Sequence, residues 1–99
     1  MRVVFRTKQL QRAYEESAKA VRLWGEAVAR KYILRMEVIY AAVNFDALRR
    51  IRVLRLHALE SPRKGQWAMD LTGRWRLIVF PAEDEKGVTV LEVTNHYGD

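Results

Sequence analysis

The spacing of hydrophobic positions changes period part-way along the chain and divides it into a helical half and a strand half. Residues 2–6 (R-V-V-F-R) predict a short opening strand. Over 8–23, Leu10, Tyr14, Ala18 and Val21 recur at the three-to-four spacing of a helix with one apolar face. Gly25 supplies a break suited to a helix end. A second helix is predicted over 26–43, with Val28, Tyr32, Met36, Ile39 and Val43 along one stripe. Leu34 and Val38 widen that stripe, as expected of a helix packed on both a sheet and its neighbour. Residues 44–51 read as a turn with a short helical segment, for which Asp46 is the N-cap candidate.

From Arg52 onward the pattern alternates, and alternate side chains of a strand point to opposite faces. In the first run Leu54 and Leu56 oppose Arg55 and His57; in the second, Trp67, Met69 and Leu71 oppose Gln66, Ala68 and Asp70. In the third, Trp75, Leu77 and Val79 oppose Arg76, Ile78 and Phe80. Ser61, Pro62 and Gly65 mark a loop over 59–65, Thr72-Gly73 a hairpin turn, and residues 81–87 an acidic turn. The last strand is expected over 88–95 with Leu91 and Val93 inward, which sets Glu92, Thr94 and His96 on the other face. If the large apolar sets face the core, then Arg55, His57, Gln66, Asp70, Arg76 and His96 share the opposite face. The fold class that follows is α+β: a mostly antiparallel β-sheet of four or five strands, with two N-terminal helices packed on one face. The chain over 1–99 is expected to form one domain, large enough to bury roughly two thirds of its unfolded surface without covalent staples.

Composition sharpens this picture in one region. The net charge is +6, from 18 basic and 12 acidic residues. Between Asp46 and Arg76 there are eight basic residues against three acidic ones, a local balance of 8 − 3 = +5. The excess is chiefly arginine, whose planar fork matches phosphate oxygens two at a time. An anionic partner is the reading this favours, nucleic acid first, against a basic surface that simply keeps the chain soluble. With no cysteine, disulfides and thiolate metal sites are ruled out, and two histidines lack a carboxylate at metal-ligand spacing, so neither metal nor cofactor is expected. The longest apolar run, 38–43, is far short of the roughly 20 residues of a membrane span, and no signal-peptide core opens the chain. The expected address is the cytoplasm, with no membrane partner.

Four segments, in order, carry a family likeness: R-L-H-A-L at 55–59, R-K-G-Q-W-A at 63–68, L-T-G-R-W-R-L-I at 71–78 and L-E-V at 91–93 before a short tail with His and Tyr. On these the chain resembles the RelE/ParE superfamily of type II toxins, and among them the HigB-type host-inhibition toxins. The resemblance implies a RelE-like toxin fold and a metal-independent, ribosome-dependent endoribonuclease that cuts mRNA. It also implies a cognate antitoxin, for HigB types commonly a helix-turn-helix protein. His57 falls at the family's first-strand histidine and Arg76 at its arginine after the tryptophan. The tail departs from the pattern: Asn95-His96-Tyr97 stands where HigB-like chains have Asp-Tyr-His, and Glu60 occupies a position often held by lysine, for which Lys64 is the substitute.

Metal-free RNA cleavage needs a base for the 2′-hydroxyl, a cation for the charged phosphorane and an acid for the departing 5′-oxygen. Histidine suits the first and last because both of its protonation states exist near neutrality. Arginine suits the second through its fixed donors. The candidate catalytic set is therefore His57, Arg76 and His96, with Tyr97 as an alternative acid. Arg55, Arg63, Lys64 and Arg74 are the candidate RNA-binding cations. Asp70 on this face is expected to pair with Arg76 or Arg55 rather than to act as a base. Trp67 and Trp75 sit on the core parity, and Trp24 belongs to the turn between the helices. Phe80 and Ile78 are apolar on the open face, suited to an antitoxin segment or a stacked base, and 83–85 reads as solvated surface. Two other function classes share the pattern: a ParE-like inhibitor of DNA gyrase, and an inactive toxin homologue that only binds.

Overall fold

The computed structural model describes residues 1–95. The chain opens with β1 (Arg2–Phe5). Thr7 then caps α1 (Lys8–Glu15), its hydroxyl accepting the Leu10 N–H at 3.2 Å. The single helix expected over 8–23 is two helices: Glu16 is extended, and α2 (Ser17–Trp24) begins after it. That one residue shifts the helical phase, so the buried positions are Leu10, Ala13 and Ala20, while Ala18 and Val21 face solvent. Gly25 joins α2 to α3 (Glu26–Ala41) with φ +85° and ψ 168°, a conformation open essentially to glycine alone. Along α3 Val28, Tyr32, Met36 and Ile39 are buried as expected, but Leu34 is exposed, and Val43, expected on the same stripe, lies past the helix end at Ala41 and is exposed too. Trp24 meets the ring of Tyr32 edge-on at 4.8 Å, fastening the turn between α2 and α3.

A short α4 (Phe45–Arg49) follows, capped by Asn44 and not by Asp46: the Asn44 carboxamide oxygen accepts from Ala47 at 2.8 Å. Asp46 lies one position inside the helix and pairs with Arg50 at 3.0 Å. The alternating run from Arg52 is mostly not a strand. A single 3-10 turn (Arg52–Leu54) continues from α4 through successive i→i+3 hydrogen bonds, Arg55 is left-handed, and only β2 (His57–Ala58) joins the sheet. Leu54 is fully buried in that turn, so its apolar signal reports an anchor for the turn and not a strand face.

The remaining strands are β3 (Trp67–Asp70), β4 (Arg76–Pro81) and β5 (Gly87–Thr94). The five strands lie in the order β1-β5-β4-β3-β2. Three of the four pairings are antiparallel, but β1 runs parallel to β5, so the sheet is mixed. Side-chain alternation carries no information about strand direction, and here the helical layer lies between the two parallel partners in sequence, as a crossover requires. Against α1 to α3 the sheet packs Met69, Leu71, Leu77, Val79, Val88 and Val90, with Trp67, Trp75 and Val93 at the margin. A bulge at Ile78/Val79 pairs Ile78 with Glu92 and Val79 with Val90, leaving Leu91 as the extra residue. Leu91 and Val93 are both half-buried, but of the two only Val93 packs against the core, and the bulge explains why Val90 and Val93, three apart, share a face. Among the described residues no helix is long and apolar enough to cross a membrane.

Candidate functional site

Register defines the face turned away from the helices. Residues directly opposite in antiparallel strands share a face, which gives one row His57, Ala68, Ile78, Glu92 and, two residues along, a second row Asp70, Arg76, Thr94. His57 and Arg76 thus lie on one face, two strands apart and two residues offset. That places their Cα atoms on the order of 12 Å apart, a span that an arginine side chain and a phosphodiester can bridge.

Asp70 is the hub of the second row. Its Oδ1 pairs with Arg76 Nε at 2.9 Å and its Oδ2 with Arg55 Nε at 3.1 Å, so one carboxylate holds both arginines. The approach of Arg76 Nε is that of an ion pair and not of an aligned hydrogen bond. Arg76 Nη1 also donates to the carbonyls of Gly73 at 2.8 Å and Trp75 at 2.9 Å, which binds the side chain to its own hairpin. From the helical layer, Arg35 donates through Nε to the Asp70 carbonyl at 3.0 Å. Arg35 is buried, and sequence reasoning missed it. The signal was there: an arginine one turn from Tyr32 and next to Met36, inside an otherwise apolar stripe. The Asp70 bridge has two arginines with unequal freedom, since the Arg76 side chain is 18% exposed and that of Arg55 76%.

His57 is exposed on the two-residue strand β2, and its Nδ1 lies 2.8 Å from the carbonyl oxygen of Arg55. Arg55 itself has φ +50° and ψ 42°. For a non-glycine residue that conformation costs roughly 1–2 kcal/mol, which the surrounding contacts must offset.

The loop 59–66 crosses this face. Arg63 Nη1 donates to Gln66 at 3.2 Å and reaches Glu92 on β5 at 3.4 Å, which ties the loop to the far side of the sheet. Ala68 and Ile78, in the row between His57 and Glu92, are completely buried yet stand outside the main core cluster. Ile78 is therefore not the accessible apolar contact expected from sequence, while Phe80 is, at 46% exposure. Gly65 makes the close passage possible: with φ +93°, a Cβ there would sit 3.0 Å from the Phe80 ring. Glu92, like Arg35, was not singled out from sequence, because a glutamate on an outward strand position gives no sign of its partner.

The four expected RNA-binding cations differ. Arg55 is held by Asp70, Arg63 by Glu92, and Lys64 and Arg74 are exposed at the tips of the loop and the hairpin. His96 and Tyr97 lie outside the described residues. Among the described residues no three His, Cys, Asp or Glu side chains come together as a metal site. Trp67 is structural, as its parity suggested: it meets Phe45 edge-on at 5.2 Å and carries the Arg49 guanidinium over its ring at 5.5 Å. The acidic turn is exposed but not merely solvated. Asp84 pairs with Arg2 at 2.9 Å, and its carboxyl is held below the ordinary range by the Lys86 N–H first and by Arg2 second.

Neither a family model nor a curated protein sequence matches the chain. Solved structures do. A YoeB/ParE toxin from Agrobacterium tumefaciens matches with TM-score 0.60 at 16% identity, over 98% of this chain and 100% of that one. A YoeB–YefM complex from Staphylococcus aureus matches with TM-score 0.63 at 12% identity, over 98% of both chains. YafQ from E. coli strain BL21(DE3) matches with TM-score 0.60 at 17% identity, over 94% of this chain and 91% of that one. The chain therefore has, over nearly its whole length, the fold of the YoeB, ParE and YafQ proteins, the fold that the RelE/ParE resemblance implies.

Proposed function

We propose that this chain is the toxin of a type II toxin–antitoxin pair and a metal-independent, ribosome-dependent mRNA endoribonuclease of the HigB type, acting in the cytoplasm. The observation that carries the reading is the convergence, on the helix-free face of a toxin-like fold, of His57 with the Asp70-bridged arginines Arg55 and Arg76. In the reaction the ribose 2′-oxygen bonds to phosphorus while His57 takes its proton. The phosphorus–5′-oxygen bond breaks, and His96 or Tyr97 protonates the leaving oxygen. Arg76 meets the charge that develops on the phosphorane. Arg55, Lys64 and Arg74 bind flanking phosphates, and Arg63 contributes less because Glu92 already answers its charge. The partner is a cognate antitoxin of helix-turn-helix type; one structural neighbour was itself solved as a YoeB–YefM complex.

Inducing the protein in cells and mapping new mRNA 5′ ends tests this directly. Ends carrying a 5′-hydroxyl, lost in His57→Gln, are expected; unchanged mRNA would refute the nuclease. With about four phosphates neutralised, single-stranded RNA binding should show a log–log salt slope near −3. A second reading, a ParE-like gyrase inhibitor, is favoured by the likeness to a YoeB/ParE toxin. Inhibition of supercoiling by purified gyrase, with mRNA intact, would select it.

A further inference from the structure

A histidine bonded through one ring nitrogen to a carbonyl oxygen has its tautomer decided, because a carbonyl can only accept. His57 Nδ1 lies 2.8 Å from the Arg55 oxygen, so Nδ1 bears the hydrogen and Nε2 is the basic nitrogen of the neutral ring. The acceptor is in place because of an unusual backbone. With Arg55 left-handed, at φ +50° and ψ 42°, its carbonyl oxygen lies 2.8 Å from the ring of the side chain two residues on. Two bonds hold that conformation. The Arg55 N–H donates to the Arg52 carbonyl at 3.0 Å, and the guanidinium pairs with Asp70 at 3.1 Å. Asp70 is in turn fixed by Arg76 and, through its carbonyl, by Arg35.

We infer that Arg55 is a positioning residue for His57: its main-chain carbonyl, set by the left-handed turn and the ion pair to Asp70, fixes the Nδ1–H tautomer and makes Nε2 the atom that accepts the 2′-hydroxyl proton. This rests on the proposed role of His57 in RNA cleavage, and it assigns that histidine as base and the departing-oxygen acid to another group. Asp70 acts one step further out, by holding Arg55.

Two-bond proton–nitrogen spectra of the nitrogen-15-labelled protein identify each ring nitrogen by type, and His96→Gln assigns the signals, the chain having two histidines. At about pH 8.5, above the ordinary histidine range, a pyrrole-type Nδ1 and a pyridine-type Nε2 are expected for His57. Histidine in water favours the opposite tautomer, so an Nε2–H ring in the parental protein would overturn the inference without any variant being made. Arg55→Gly loses the ion pair but has no strain at positive φ for that pair to offset, keeps the N–H to Arg52 and the carbonyl, and should retain the Nδ1–H form. Arg55→Val resists the left-handed region and should lose it. Relative to Arg55→Gly, the valine variant should show kcat lower by about 10–100-fold with KM little changed. A folded Arg55→Val with an unaltered tautomer would overturn the backbone's part. Full cleavage by His57→Gln would overturn the catalytic consequence alone, leaving the tautomer measurement to stand by itself.

Discussion

Both faces of the sheet bury side chains completely, but what surrounds those side chains differs. Under the helices, Leu77 and Val79 meet apolar atoms from Tyr32, Met36 and Ile39, contacts that have no direction and tolerate small shifts. On the opposite face Ile78, next to Leu77 in sequence, is equally buried, yet its row ends in His57 and Glu92 and runs beside the Asp70–Arg76 pair. Charges there are answered by named partners at set distances, and removing one strands another. The comparison teaches that burial does not distinguish a scaffold from a site; the kind of neighbour does.

Substitutions can break that distinction. The largest effects should come from the helix-free face and appear in activity: His57→Gln should slow mRNA cleavage by about 10²–10⁴-fold while the thermal midpoint stays near parental. Arg76→Ala should slow it about a hundredfold or more, corresponding to roughly 3 kcal/mol of transition-state stabilisation. Unlike the histidine change, it should also lower stability by about 1 kcal/mol, since it frees the Gly73 and Trp75 carbonyls. Folded variants at these two positions that cleave at the parental rate would remove the site.

Next in size are the two buried neighbours. Leu77→Ala and Ile78→Ala should each cost about 2–5 kcal/mol in denaturant unfolding, being completely buried on opposite faces. Should Ile78→Ala prove neutral, the loop 59–66 does not seal its side of the sheet, and the contrast between the faces becomes one of burial after all. Smaller still, Tyr32→Phe should cost about 1–2 kcal/mol, because the Leu10 carbonyl loses its donor at 2.7 Å. Burial, and secondarily Tyr40, raises the Tyr32 hydroxyl above its ordinary range. Its contribution is therefore intact below about pH 10 and is lost as pH rises beyond that, a loss absent from Tyr32→Phe when midpoints are compared across alkaline pH. The smallest effect belongs to Asp84→Asn. The depressed carboxyl means its contribution exists at neutral pH and disappears on acidification, and because both partners are exposed, added salt should erase the difference from parental.

Much of this was legible in the sequence for a physical reason. Within 67–70 and 76–79 the side chains alternate between the helix side and the open side, so parity alone put Asp70 and Arg76 on one face and Met69 and Leu77 on the other. The expectation that Asp70 pairs with Arg76 or Arg55 turned out too modest: it pairs with both. Where the reading differed, a single backbone residue was responsible. Extended Glu16 reset the helical phase, left-handed Arg55 turned a supposed strand into a turn, and the extra Leu91 shifted the parity of β5. None of the three is a glycine or proline, so composition gave no warning. His57 nonetheless reached the expected face, because β2, short as it is, pairs in register with Ala68. Contacts between distant elements, such as Arg35 with Asp70 and Arg63 with Glu92, have no periodic signature at all.

The parallel pairing of β1 with β5 also bears on how the molecule comes into being. Arg2 to Phe5 leave the synthetic machinery well before their sheet partners, Gly87 to Val90, which come far later in the sequence. Until then β1 has an unsatisfied ladder edge, and β4, which pairs with β5 along its whole length, lacks one neighbour. Helices α1 to α3 can form from local contacts during synthesis, whereas closing a sheet across nearly the whole chain is slow and late. A nascent or prematurely terminated chain thus holds His57 and Arg76 on strands that β5 has not yet locked into place. The geometry of that face is set by topology, through a pairing made only once residues 87–94 are available.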